Sequence, residues 1–230
     1  MKNLGIIGGV GWPGTQAFLE DMRQIINHEE WAVRPEVFVH FIPLPVAVEE
    51  DLLLHGNTEA FAPFLQESAR KLRDTGVGII ILACNTLHVL EPAIRDVLEG
   101  TGITFLSLRD VVPDFLQEKG CTRIGLLGTS TTMEKVFTDR LRDRGIEQVN
   151  LPASLQAELN ATIQRIVTGH DDESDTACIQ EAVAFLENEG VHAIVSACTD
   201  LTGRIHSTIV PIFDSEKMLV QVTCRALKSE

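Results

Sequence analysis

Long hydrophobic runs are missing from this 230-residue chain, and the apolar stretches stop well short of the roughly 20 residues that a membrane-spanning helix needs. Positive charge is also scarce: Lys and Arg total 19 against 33 acidic residues, a net charge of −14, and the cations are scattered. Such a field repels polyanions, so neither nucleic acid nor a membrane is expected as a partner. Near the N-terminus stand a single Lys2 and then a strand broken by glycines and a proline, which is not a secretory leader, so a cytoplasmic location is expected. The five cysteines show no CxxC pair and no Cys/His cluster at metal-ligand spacing. An odd count in a chain of this size points to reduced thiols, with no metal and no disulfide framework. No low-complexity or Pro-rich linker divides the sequence.

What is present is a strict alternation of strand and helix patterns. Strands are predicted at 3–8, 36–42, 77–83, 103–107, 123–128, 147–150, 192–197 and 209–213, with helices over 15–28, 58–74, 90–98, 133–144, 155–168, 174–189 and 215–228. The segments Gly78-Ile-Ile-Ile-Leu82 and Ile124-Gly-Leu-Leu127 are apolar without alternation, as strands covered on both faces should be. The expected class is α/β, with parallel sheets flanked by helices. Residues 1–106 with 214–230 are expected to form one lobe and residues 107–213 a second. The charged stretch 170–175 reads as a solvated loop, with Ser174 as helix N-cap.

Two cysteines close look-alike segments. Ala83-Cys84-Asn85-Thr86 follows the run Gly76-Val-Gly-Ile-Ile-Ile-Leu82, and Ala197-Cys198-Thr199-Asp200 follows Gly190-Val-His-Ala-Ile-Val-Ser196, 114 residues later. Gly5-Ile-Ile-Gly-Gly9 recurs as Gly125-Leu-Leu-Gly-Thr129, offset by 120. Both matches keep their order within each half, which is what an internal duplication leaves behind. Each cysteine thus falls where a buried strand ends, the position at which open α/β sheets expose their chemistry. The matched pair suggests one substrate held between two sulfurs.

Other motifs carry less. Gly9-Val10-Gly11-Trp12-Pro13-Gly14 fits the dinucleotide fingerprint, but the second strand ends His40-Phe41-Ile42-Pro43 without the acidic residue that would hold a ribose. No nicotinamide cofactor is therefore expected, and no Lys lies in a setting that suggests a pyridoxal Schiff base. Thr129-Ser130-Thr131-Thr132 opens a helix and either caps it or meets an anion with its N–H groups and hydroxyls. Asn85, Thr86 and Thr199 admit the same two readings. A helix start after each of Cys84 and Cys198 would favour the thiolate. His88 either polarises the site or packs, and Asp200 either orients Cys198 or caps its helix. Cys121, Cys178 and Cys224 read as small buried hydrophobes.

At these residues the chain resembles the aspartate/glutamate racemase family, the cofactor-independent amino-acid racemases. The matching strings are Gly8-Gly9-Val10-Gly11, Ala83-Cys84-Asn85-Thr86-Leu87-His88, Gly128-Thr129 with Thr132, and Ala197-Cys198-Thr199-Asp200-Leu201. The resemblance implies two pseudo-symmetric α/β lobes with the active site between them, and a homodimer. It also implies Cys84 and Cys198 as catalytic residues, one removing the α-proton as thiolate and the other returning a proton to the opposite face. Val10, Asn85, Thr86, Thr129, Thr132 and Thr199 would bind the amino-acid substrate.

Two departures from the family pattern bear on specificity. Members acting on acidic substrates carry an Arg in the loop after the second strand and a Lys on a helix of the second half. Here that loop runs from Pro43 to Asp51 without Arg, and Glu158 stands where the Lys aligns. A substrate carboxylate desolvated beside Glu158 would cost several kcal/mol, so a neutral or cationic side chain is expected. Relatives on the same scaffold racemise hydantoins or isomerise maleate, and a non-catalytic amino-acid-binding protein is a further alternative. The retained cysteine pair speaks against the last, because binding alone needs no thiols.

Overall fold

A computed structural model describes residues 2–10, 12–29, 31–45, 47, 48, 51 and 57–228. The chain divides into two compact units, one formed by residues 1–108 with 219–230 and the other by residues 109–218. Each is an α/β unit around a four-stranded parallel sheet.

In the first unit the strands are β1 (Leu4–Gly8), β2 (Val37–Phe41), β3 (Ile79–Leu82) and β4 (Thr104–Leu106), in the order β2-β1-β3-β4. The central strands β1 and β3 are buried along their whole length, while the edge strand β2 is half-buried throughout. This burial explains the unbroken Ile79-Ile-Ile-Leu82 run: with helices over both faces, neither set of alternate side chains meets water. The helices are α1 (Trp12–His28), α2 (Ala62–Asp74) and α3 (Glu91–Leu98). Helix α1 begins three residues before the predicted start, with Pro13 in its first turn, where the missing N–H has no helical partner to lose.

In the second unit β5 (Arg123–Leu127), β6 (Glu147–Val149), β7 (Ala193–Ser196) and β8 (Ile212–Asp214) lie in the order β6-β5-β7-β8. Its helices are α4 (Leu108–Glu118), α5 (Thr138–Asp143), α6 (Ala153–Val167) and α7 (Glu173–Asn188), and α8 (Ser215–Lys228) carries the chain back to the first unit. Helix α4 lies outside every predicted helix. Its apolar residues Leu108, Val111, Val112 and Leu116 are buried at helical spacing, but Pro113 sits inside it and reads as a breaker in sequence.

The two units repeat one another in register. Gly5 on β1 faces Ile80 on β3, and Gly125 on β5 faces Ile194 on β7. The buried stripe of α2 is Leu65, Ser68, Ala69 and Leu72; in α7 the residues 114 positions later are Ile179, Ala182, Val183 and Leu186, all buried. A Cβ on Gly5 would stand 3.3 Å from the Leu72 side chain, and one on Gly125 would stand 2.5 Å from that of Leu186. Both glycines are therefore packing residues that let a helix leucine lie directly on the central strand.

Helix α7 is capped by Asp172 rather than by the predicted Ser174. The Asp172 carboxylate accepts from the Ser174 N–H at 2.7 Å, and Asp175 reaches back to the Asp172 N–H at 2.9 Å, completing a capping box. Asp175 is fully buried and is held by the Arg165 guanidinium, which lowers its carboxyl to about 2. A carboxyl depressed on folding contributes stability that is complete above its ordinary value and lost as pH falls through the folded one. Urea midpoints of the wild type are accordingly expected to fall between about pH 4 and pH 2, with a shallower fall in Asp175→Asn. At neutral pH the variant should be less stable by about 2 kcal/mol, since Arg165 is 40% exposed and regains water when its partner is neutralised.

Candidate active site

In a sheet ordered 2-1-3-4 the chain moves to one side after the first strand and to the other before the third, so a crevice opens between those two at their carboxyl ends. In the first unit Val10 follows β1, and Cys84, Asn85 and Thr86 follow β3, on either side of that point. In the second unit Thr129 and Thr132 follow β5, and Cys198 and Thr199 follow β7. Each sheet thus gathers its own share of the predicted site residues at its own switch point.

The two cysteines are held in the same way. The Ala83 N–H donates to the Ile7 carbonyl at 2.9 Å and the Ala197 N–H donates to that of Leu127 at 2.8 Å, the last ladder bond in each case. One residue further on the chain leaves the sheet, and the sulfur is placed by a backbone fixed on its N-terminal side. Cys84 is half-buried and Cys198 is 9% exposed. Burial pushes the other three thiols up, Cys224 to about 11, which favours their inert protonated forms.

The turns that follow differ. After Cys84 a 3₁₀ turn, Thr86–Leu90, leads straight into α3. His88 is fully buried within it, and its Nδ1 donates to the Cys84 carbonyl at 2.7 Å while its ring stacks on Phe105. Because a carbonyl only accepts, Nδ1 carries the proton, and His88 anchors the cysteine's own peptide.

After Cys198 the predicted helix is absent. A three-residue 3₁₀ turn, Thr199–Leu201, ends at Thr202, and the next α-helix begins at Ser215. The helix start expected after each cysteine is therefore met only beyond Cys84, through a 3₁₀ turn, and not after Cys198. Asp200 caps no helix here: its Oδ2 accepts from the Cys198 thiol at 3.8 Å and from the Thr199 hydroxyl at 3.5 Å. Burial raises the Asp200 carboxyl above its ordinary value, opposed by these two hydrogen bonds and by Arg204.

In the second unit the Thr129 and Thr132 hydroxyls lie 3.0 Å apart, and the Thr132 N–H donates to Thr129 Oγ1. The Ser130 N–H donates to Asn160 Oδ1 at 3.1 Å, Asn160 Nδ2 donates to Ser130 Oγ, and Gln156 Nε2 donates to the Gly128 carbonyl at 3.0 Å. Two of the N–H groups expected to meet an anion, those of Ser130 and Thr132, are thus already bonded within the chain. Gln156 and Asn160 went unrecognised in sequence, although their spacing puts both amides on one face of α6. Glu158, on the same helix, is exposed, so the desolvation cost assigned to it is not built into the protein.

The glycine-rich turn after β1 is closed by its own helix. The Gly9 N–H donates to Thr15 Oγ1 at 3.2 Å, and Gly9 has φ +96°, where other residues are strained. Trp12 packs its ring against Phe41 at 4.8 Å. Gly11 of this motif, and Val46, Glu49 and Glu50 of the loop after β2, lie outside the described residues. Among the described residues no group of three or more His, Cys, Asp and Glu is placed to hold a metal ion, and no helix is long and apolar enough to cross a membrane.

Residues 7–223 match the family model for Asp/Glu/hydantoin racemases. The chain is 24% identical over 231 residues to the broad specificity amino-acid racemase RacX of Bacillus subtilis (strain 168), with 96% of each chain covered. Its fold is similar to that of an aspartate racemase homologue from Pyrococcus horikoshii OT3, at TM-score 0.80 and 23% identity over the whole of both chains. It is also similar to the aspartate racemase of Picrophilus torridus, at TM-score 0.77 and 23% identity over 100% of this chain and 96% of that one.

Proposed function

We propose that this chain, which belongs to the Asp/Glu/hydantoin racemase family and is an amino-acid racemase in reaction class, inverts its substrate with Cys84 and Cys198 as a pair of acid–base groups. The observation that carries this reading is the equivalence of the two cysteines, each one residue beyond the last ladder bond of an identically ordered sheet. A structural role would not require the same residue at both positions.

In the proposed reaction one sulfur, as thiolate, takes the α-proton and becomes a thiol, leaving the electron pair on the α-carbon. The other sulfur, as thiol, delivers its proton to the opposite face and becomes a thiolate. Side-chain donors of Asn85, Thr86, Thr129, Thr132 and Thr199, with Val10 as an apolar wall, hold the amino acid and meet the charge that spreads onto its carboxylate. No cofactor enters these steps. The roles of the sulfurs exchange with direction.

The proposed substrate has a neutral or cationic side chain. Support comes from the loop after β2, which contains no Arg. The similarity to a broad specificity amino-acid racemase of Bacillus subtilis agrees with a site not built around a second carboxylate. A homodimer in the cytoplasm is the assembly and location that fit this reading.

Incubation of single-enantiomer amino acids with the protein in D₂O, followed by proton NMR and chiral chromatography, tests the proposal. Exchange of the α-proton with inversion is expected for neutral or basic amino acids, with the rate falling at low pH as the thiolate is protonated. Comparable turnover of L-aspartate would overturn the specificity, and inversion of a hydantoin in place of any amino acid would reassign the substrate.

A further inference from the structure

Although the two cysteines occupy equivalent places, their surroundings differ. Two residues after Cys84 stands Thr86; two residues after Cys198 stands Asp200, whose Oδ2 lies 3.8 Å from the sulfur. The turn after Cys84 is a five-residue 3₁₀ turn that leads into α3, whereas the turn after Cys198 is three residues long and leads into no helix.

We propose that Asp200 is a positioning residue that holds Cys198 in its thiol form, so that the resting enzyme carries its base at Cys84 and its acid at Cys198. This rests on the two-cysteine reading and adds to it an assignment of the resting protonation state. An ionised carboxylate only accepts, so while Asp200 is charged the sulfur that meets it carries the proton. Removing that proton would leave a thiolate and a carboxylate 3.8 Å apart in a largely buried setting, which is the arrangement that keeps one member of a pair protonated. Between a carboxyl and a thiol the proton belongs on the sulfur, because their ordinary pKa values differ by about 4.5 units.

The other charged groups around this pair are committed elsewhere. Arg204, the cation that acts on Asp200, donates to Asp171 at 2.8 Å. On the neighbouring strand β8, the Asp214 carboxylate accepts from the Thr202 hydroxyl at 2.8 Å and from the N–H groups of Glu216 and Lys217. On α6, which packs against the 199–201 turn, Arg165 is tied to Asp175 and Glu158 faces solvent. The end of β5, Gly128-Thr129, brings no charge. Asp200 is therefore the carboxylate in this unit that stands against the Cys198 sulfur.

Alkylation by iodoacetamide across a pH series, with each cysteine followed by peptide mass spectrometry, tests this without requiring turnover. The midpoint of the pH dependence reports thiol acidity whatever the accessibility of the sulfur. In the wild type Cys84 is expected to titrate at lower pH than Cys198. Asp200→Asn should bring the Cys198 midpoint down by at least about one unit, a tenfold gain in its rate at neutral pH, and leave that of Cys84 in place. Asp200→Glu should restore the higher midpoint. A Cys198 that titrates below Cys84 in the wild type, or an unmoved Cys198 midpoint in folded Asp200→Asn, would overturn the proposal. If Asp200→Asn does not fold, the wild-type order and the Glu variant decide. The D₂O assay fails or succeeds independently, so loss of the racemase reading and loss of this one are separately visible.

Discussion

Replacing either Cys84 or Cys198 by alanine is expected to reduce interconversion about 10³-fold or more in both directions, the scale of removing a positioned acid or base. Inversion needs a proton removed on one face and supplied on the other, so one missing sulfur stops both directions alike. Each variant keeps one thiol of the pair, which can still take a proton from the face it sees and return deuterium to that same face. Deuterium wash-in without inversion should therefore persist for one enantiomer in Cys84→Ala and for the opposite enantiomer in Cys198→Ala. Chiral separation followed by mass spectrometry reads both outcomes together. Full activity in either variant would remove that residue from the mechanism.

The second large effect is expected at Gly128, which touches no substrate in the proposed reaction. A Cβ at this position would stand 2.8 Å from the carbonyl oxygen of Ala197, the residue before Cys198. Backbone cannot yield as the tip of a side chain can. Gly128→Ala should cost about 1–3 kcal/mol through overpacking and displace the cysteine's own peptide. Activity should fall about 100-fold, since a shift on the order of 1 Å at the reacting group has that consequence. Gly100→Ala is the control: with φ +72° and open space around it, it should lose about 1–2 kcal/mol of stability from backbone strain while activity is retained. Melting curves and steady-state rates on the two variants separate a displaced sulfur from a merely weakened fold. Equal activity in both would show that the contact with Ala197 does not position Cys198.

Much of this arrangement was legible in the sequence. The unbroken apolar runs 78–82 and 124–127 announced strands buried on both faces, and the order of glycine-ended and cysteine-ended strands in each half announced two sheets of one design. These signals are local, because a strand covered on both sides must be apolar at every position. Less local features were misread. Helix α4 hid behind Pro113, although the burial of Leu108, Val111, Val112 and Leu116 outweighs the one hydrogen bond a proline removes. Ser174 looked like a cap, but the shorter reach to its N–H belongs to Asp172. The helix expected after Cys198 reduced to a single turn. The amides of Gln156 and Asn160 gave no sign of their partners, which lie about 30 residues away along the chain.

By itself, then, the sequence determined the α/β class and the strand ends on which the two thiols sit. Those conclusions follow from side-chain periodicity and residue chemistry, which need no coordinates. Only the tertiary structure decided that the glycines of β1 and β5 serve helix packing, that the Thr129–Ser130 loop is held by α6, and that Asp200 faces Cys198 while Thr86 occupies the equivalent place after Cys84. Each of these depends on the distance between groups brought together by folding, and a distance of that kind is not encoded in any one stretch of chain.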